Sequence, residues 1–196
     1  MRRSLAIVIG IGLVALALIG AIAPAIAGAP GQGRPPRGEI LQFDVAEEFT
    51  RFVFDPDMVN AEGWPVHGNP FITQGYIYPA GTLEDSDGVN PDGSPEFPDK
   101  VIGRWICRGR ILGDTLGSDG SPAAITTQFF QLGEGYGNQV IVSEGYEFMQ
   151  PGKTWSRVIN GGGGEYEGVY GEQIQEVLGI NEFMGMAFRM ELRLER

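Results

Sequence analysis

The chain is poor in the residues that build reactive centres. Its 196 residues include one cysteine, Cys107, and one histidine, His67. A lone cysteine cannot close a disulfide within the chain, so this is not a disulfide scaffold of the kind common among small exported domains. Stability has to come from a packed core or from assembly. One histidine and one cysteine are also too few for a tetrahedral metal centre, and no metal or cofactor is expected. No serine stands in a nucleophile-elbow context. Basic residues are scarce as well: 14 Lys and Arg against 25 Asp and Glu leave a net charge of −11. Such a surface repels phosphate backbones and anionic lipid, so nucleic acid is not expected as a partner.

Long apolar runs are missing except at the N-terminus. Leu5 to Ile19 is nearly unbroken, with Arg2 and Arg3 before it and Ala25-Ile26-Ala27 after it. That three-part plan is that of a secretory signal peptide. A membrane anchor needs about 20 apolar residues, and this run is interrupted at Gly20 and Pro24. Residues 1–27 are therefore read as a signal peptide cleaved near Ala27–Gly28. The product is expected to be secreted or periplasmic, without stable membrane insertion after cleavage. Arg2-Arg3-Ser4-Leu5 is too little to assign a twin-arginine signal, and no cysteine near the cleavage site offers a lipid attachment point. Without Arg2 and Arg3 the balance is 12 basic residues against 25 acidic, or −13. Residues 28–38, "GAPGQGRPPRG", form a flexible Pro/Gly-rich tether. Residues 39–196 are the length of one domain.

What fills that domain is strand signal, with almost no helical periodicity. Met184, Met186, Phe188, Met190, Leu192 and Leu194 alternate with Gly185, Ala187, Arg189, Glu191 and Arg193. Period-two alternation gives one dry face and one wet face. In Val101 to Ile111, Trp105 and Cys107 take the parity opposite to Arg104, Arg108 and Arg110. Val140, Val142, Glu144, Tyr146 and Phe148 oppose Ile141, Ser143, Gly145 and Glu147. Leu41, Phe43 and Val45 mark the first strand, and 126–132 and 173–178 two more. Gly/Pro/Asp clusters separate these runs, the mark of an antiparallel sandwich or barrel. Closure removes exposed edges, so the fold class is all-β, an eight-stranded antiparallel β-barrel. An interior of that size is either filled by side chains or holds one small ligand.

The stretch "INGGGGEYEGVYGE" (159–172) is not a phosphate cradle, because Glu165 follows Gly164 where a P-loop needs Lys and then Ser or Thr. It is not a linker either, since Tyr166, Val169 and Tyr170 resume the strand pattern at once. It reads as a sharp turn between strands, its glycines supplying positive φ or a bend at a barrel corner.

Extended to "RVINGGGGEYEGVYGEQ", the stretch resembles the Gly-Gly-x-Gly, aromatic, Gly-x-x-Gly motif of the allene oxide cyclase and dirigent barrel superfamily. Asn160 and Gly163 depart from it where Thr and Ser or Thr are common. "IGRWICRGRIL", "TTQFFQLGEGYG" and "VIVSEGYEF" are similar to the strands that precede the motif in that superfamily, and "GYIYPAGTL" to the segment before its long loop. The resemblance spans about residues 74–194. It implies an eight-stranded barrel with an apolar cavity, a small hydrophobic ligand, and assembly as a homodimer or homotrimer. It also implies that any catalysis is cyclisation or isomerisation without a cofactor, by positioning and by polar groups near a developing oxyanion.

Four candidate catalytic residues follow. Cys107 aligns with the cavity cysteine of the cyclases; the plainer reading is a small buried hydrophobe. Tyr146 lies one residue out of register with the cyclase tyrosine, and a one-residue slip reverses the face. Glu144 shares the parity of Tyr146: inside, it is a general acid of the kind dirigent proteins use; outside, it is ordinary. Asp44, two residues from Gln42 on one face, parallels a first-strand pair of the cyclases. Trp105, Phe129, Met186 and Phe188 are the expected ligand-binding lining. Asp85, Asp87, Asn90 and Asp92 suit Ca²⁺ in type but not in spacing, and read as a solvated loop. The arginines of 104–110 suit pairing with acidic neighbours. The alternative to the ligand barrel is a structural or interaction barrel filled by its own side chains, and the interior volume separates the two.

Overall fold

In the computed structural model the described residues are 38–113, 123–133, 138–181 and 184–196. The expected signal peptide and most of the expected tether lie outside them. Nine strands run in chain order: β1 (Glu39–Glu47), β2 (Val53–Phe54), β3 (Pro70–Pro79), β4 (Gly103–Gly113), β5 (Ala123–Leu132), β6 (Gln139–Phe148), β7 (Thr154–Gly164), β8 (Tyr170–Ile180) and β9 (Met186–Glu195). The sheet order is β1-β9-β8-β7-β6-β5-β4-β3-β2, every pair of neighbouring strands antiparallel, and β1 also pairs with β3. That last pairing closes an eight-stranded barrel, leaving the two-residue β2 as a flap on β3. Closure leaves no long edge strand to protect.

Alternation decides what each strand puts inside. β9 turns Met186, Phe188, Met190, Leu192 and Leu194 inward, all buried. β1 contributes Phe43 and Val45, β3 Phe71 and Ile77, and β4 Trp105, Cys107 and Ile111. Phe43 packs on Phe130 with ring centroids 5.4 Å apart, and Trp105 on Phe188 at 5.6 Å. This part of the interior is filled by side chains. A second apolar cluster lies outside the barrel wall: Ala46, Tyr76, Tyr78 and Ala187 are covered by Leu83 and Val89 of the loop after β3. Tyr76 and Tyr78 donate their hydroxyls to the Gly93 and Gly88 carbonyls at 2.7 and 2.6 Å, fastening that loop down.

The four-glycine run is strand, and the turn comes after it. Gly161, Gly162, Gly163 and Gly164 pair with Val142, Ile141, Val140 and Gln139, with a bulge at Asn160. A side chain at Gly162 would collide with the Tyr166 and Val140 carbonyls. Bare backbone there lets the turn 165–168 fold back, burying Tyr166 and Val169 in the core. Gly164 and Gly168 have φ of +64° and +78°, the left-handed region that glycine enters without strain.

Candidate functional site

The end of the barrel where β1, β4, β6 and β8 finish and β9 begins carries an apolar pocket of about 430 Å³. Phe49, Phe52 and Phe54, just after β1, line one part. Ile111, Met149, Ile180, Met184 and Met186 come from the strand ends, and Trp64 and Pro65 from the connection between β2 and β3. Phe52 is the hub of the aromatic group: it stacks on Phe49 at 5.8 Å and on Phe71 at 5.3 Å, and tilts against Phe54 at 5.8 Å. Phe49, Trp64, Ile180 and Met184 are 38–56% exposed. Large apolar side chains gathered around an opening mark a contact surface.

Trp64 reaches this rim through a turn that the chain uses twice. Val59-Asn60-Ala61-Glu62-Gly63-Trp64-Pro65 and Val89-Asn90-Pro91-Asp92-Gly93-Ser94-Pro95 share the pattern V-N-x-x-G-x-P. Both form the same bridge, Val59 to Pro65 and Val89 to Pro95, with glycine φ of +86° and +82°. Both also hydrogen-bond alike: Asn60 and Asn90 donate their backbone N–H to the Trp64 and Ser94 carbonyls at 2.9 Å. One copy puts a tryptophan at the pocket. The other, with serine there, packs under the barrel wall through Gly93. The seven-residue pattern recurs 30 positions apart and is visible in the sequence alone.

Among the described residues one buried carboxyl group lines the pocket. Glu47 ends β1 on the inward parity of Phe43 and Val45 and is 2% exposed. Its Oε2 accepts the Met186 backbone N–H at 2.9 Å. Its Oε1 has no hydrogen-bond partner among the described residues, and neither has Oγ1 of Thr73. Burial pushes the Glu47 carboxyl up to about 7; the Met186 N–H and the nearby Thr73 hydroxyl pull the other way, and the negative charge of Glu147 adds to the rise. A carboxyl poised near neutrality beside an apolar pocket can give or take a proton. Glu62, the other carboxylate of the lining, is exposed at the rim.

Behind this pocket the wall of β4 to β8 is polar inside. Glu147 Oε2 accepts from Gln128 Nε2 at 2.9 Å, Thr126 Oγ1 at 3.2 Å and Cys107 Sγ at 3.6 Å, and faces Arg157 Nη1 at 3.8 Å. Arg157 donates onward to the carbonyls of Tyr146 and Thr126 at 2.9 and 3.0 Å. Gln173 Nε2 donates to Gln128 Oε1 at 2.8 Å, and Gln128 Nε2 to Gln175 Oε1 at 3.0 Å. Burial, and then the Glu147 charge, hold the Cys107 thiol well above its usual range. It therefore stays protonated, a weak donor rather than a nucleophile.

The sequence-derived candidates divide between the two sides of the wall. Cys107, Trp105 and Phe188 are interior, and Met186 lines the pocket. Glu144 and Tyr146 are on the outer face of β6, because Ile141, Ser143 and Glu147 carry the inward parity. Glu144 accepts from Thr127 at 3.1 Å and Asn160 at 2.9 Å, and Tyr146 is 55% exposed. Phe129 is on the outer side of β5, beneath the Arg108 guanidinium at 5.5 Å. Asp44 is fully buried, but outside the barrel under the loop after β3. It accepts the Leu83 N–H at 3.0 Å and pairs with Arg189 at 3.1 Å. Arg104 covers the Tyr76 ring and Arg110 caps the Gly68 carbonyl; among the described residues the three β4 arginines form no ion pair. In the acidic loop, Asp92 accepts the Ser94 N–H and hydroxyl, and Asn90 donates to the Ser94 hydroxyl and the Pro95 carbonyl. Among the described residues no three His, Cys, Asp or Glu side chains converge as a metal site would require.

The interior carboxylates are thus Glu47 and Glu147, with Arg157 between strands as the buried cation. Each could have been found by continuing an alternation one step: Leu41-Phe43-Val45 to Glu47, Ile141-Ser143-Gly145 to Glu147, and Trp155-Arg157-Ile159.

No protein-family model matches the chain, and no curated protein does. Solved structures do. A structure of the pterocarpan synthase dirigent protein PsPTS1 aligns with a TM-score of 0.59 and 13% identity, over 82% of this chain and 96% of that one. That of GePTS1 aligns at 0.56 and 11%, over 80% and 83%. A pyocyanin demethylase aligns at 0.52 and 15%, over 80% and 100%. Together with the closed sheet order, these alignments show that the chain has the eight-stranded barrel fold of the dirigent and allene oxide cyclase-like proteins.

Proposed function

We propose that the protein binds a small hydrophobic molecule in the pocket at the open end of the barrel and exchanges a proton with it through Glu47. The observation that carries this reading is the coincidence of two features. One is an apolar pocket of about 430 Å³, within the range of small-molecule sites. The other is its single buried carboxyl, with one oxygen unpartnered and its pKa raised to about 7. The reaction class that fits is isomerisation or cyclisation guided by shape, needing no cofactor. The apolar wall fixes the substrate's conformation and excludes water, and Glu47 moves a proton at the one polar point. Two of the structural neighbours are dirigent proteins described as pterocarpan synthases, which supports a cyclase-type role without supplying a substrate, since one fold hosts many activities. Export to the periplasm or exterior and assembly as a dimer or trimer belong to the same proposal.

The filled part of the interior, around Trp105, Phe130 and Phe188, favours a second reading: a structural barrel whose pocket is only a surface recess. Native mass spectrometry of residues 28–196, with titration of the neutral fluorophore N-phenylnaphthylamine, separates them. Retention of a small molecule, or saturable single-site uptake that weakens at least tenfold in Trp64→Ala, supports the ligand barrel. Proton transfer is then read as exchange of the captured compound's C–H for deuterium in heavy water, lost in Glu47→Gln when the variant is saturated with the compound. A clean chain that takes up no apolar probe favours the structural barrel.

A further inference from the structure

Resting on that reading of the pocket, we infer that its preferred ligand is a planar aromatic cation. Charge and ring chemistry in the lining agree on this class. Phe49, Phe52, Phe54 and Trp64 supply four aromatic rings around one space, and the π faces of such rings attract cations. Met149, Met184 and Met186 add polarisable thioethers, which settle well against flat rings. Among the described residues, the charged side chains in the lining are Glu47 at the buried end and Glu62 at the rim. Both are negative, in a chain of net charge −11. An anion would be repelled by both.

Among the described residues Glu47 has no counter-charge. The groups that face it are Met186 N–H on β9, Thr73 on β3, Cys107 on β4 and the Glu147 carboxylate on β6. The buried cation among the described residues, Arg157, is committed to Glu147 and to two backbone carbonyls. Glu47 Oε1 is therefore a buried carboxylate oxygen without a partner, a costly state for an ionised group. A bound cation would supply the missing charge and release the carboxyl proton to solvent. A neutral ligand with a carbonyl would instead need Glu47 protonated as a donor, so the two ligand classes respond oppositely to pH.

The experiment titrates the mature protein with N-methylquinolinium and with its neutral carbon isostere, methylnaphthalene, following tryptophan fluorescence and heat from pH 5.5 to 8.5. The cation is expected to bind at least tenfold more tightly than the isostere at pH 8. Its affinity should fall toward tenfold per pH unit below 7, as protonated Glu47 must lose its proton. Glu47→Gln should remove most of that preference while leaving the isostere within about twofold. The wild-type pH profile stands alone if the variant does not fold. Equal affinity for the two probes, or cation binding flat across pH, overturns the inference and leaves the apolar pocket standing. Failure of both probes to bind the wild-type protein overturns the pocket reading and this inference with it.

Discussion

The guanidinium of Arg157 lies 3.8 Å from the Glu147 carboxylate inside the barrel, and this pair sets the two interior carboxylates apart. Glu147 has a cation, an amide and a hydroxyl to stabilise its charge. Glu47, in the same interior, has the Met186 backbone N–H and a nearby Thr73 hydroxyl but no cation among the described residues. The barrel thus holds one interior carboxylate against a cation and one, in the wall of the pocket, without.

Breaking the committed pair should be expensive. Arg157 is buried and its pKa is lowered by that burial, with Glu147 pulling it back up. Arg157→Met strands the Glu147 charge, and loss of one partner of a buried ion pair typically costs about 3–5 kcal/mol. Adding Glu147→Gln to Arg157→Met should restore a good part of this. Urea unfolding of the two singles and the double measures the coupling. Additive losses would mean that the pair does not act as a unit.

Glu47 predicts an unusual dependence on pH. Its carboxyl titrates near 4.5 in the unfolded chain and about 7 in the folded one. Between those values the folded state holds the proton and the unfolded state has lost it, so stability falls as pH rises through that window and is level above it. The cost at pH 8 is about 3 kcal/mol. Glu47→Gln keeps an acceptor for Met186 N–H and removes the charge. The variant should match the wild type near pH 4 and exceed it by up to that amount at pH 8. Parallel stability curves across the whole range would show that Glu47 does not titrate as stated.

Much of this was legible beforehand, and the illegible part has a physical cause. The strict alternation of Met184 to Leu194 named the interior face of β9 from Met186 onward, because hydrophobic burial on one face leaves a period-two trace; Met184 stands before the strand, half exposed, with φ of +66°. On β6 the trace is ambiguous: Val140, Val142, Tyr146 and Phe148 look more apolar than Ile141, Ser143, Gly145 and Glu147, yet the second set faces inward. The interior there is a polar network, so hydrophobicity points to the wrong wall. Asp44 is misleading for a different reason. The loop after β3 covers the outside of β1, so burial on that strand does not mean the barrel interior. Glu47 was hidden in plain alternation, one step beyond Val45.

Cys107 should behave as a buried structural thiol. It is fully buried, its thiolate is disfavoured by burial and by the Glu147 charge, and it donates weakly to that carboxylate at 3.6 Å. Iodoacetamide at pH 8 should leave it unmodified in the folded protein and alkylate it fully in denaturant. Cys107→Ala should cost about 1–2 kcal/mol through lost packing and leave probe affinity at the pocket unchanged. Rapid alkylation of the native protein would restore Cys107 as a reactive candidate.

The glycine run offers a comparison within four consecutive residues. At Gly161 a methyl group would meet nothing within 4 Å, and the position is extended strand, so Gly161→Ala should change stability by less than about 1 kcal/mol. At Gly162 the same methyl would sit 2.8 Å from both the Tyr166 Cβ and the Val140 carbonyl oxygen, and would overlap the Tyr166 carbonyl. The turn that buries Tyr166 and Val169 would have to lift away. Gly162→Ala should therefore cost more than about 2 kcal/mol and expose apolar surface around the β7–β8 turn, measured by unfolding midpoint and by dye binding. A Gly162→Ala variant as stable as Gly161→Ala would mean that the glycines serve the strand alone, and that the Tyr166 turn does not depend on close approach to bare backbone.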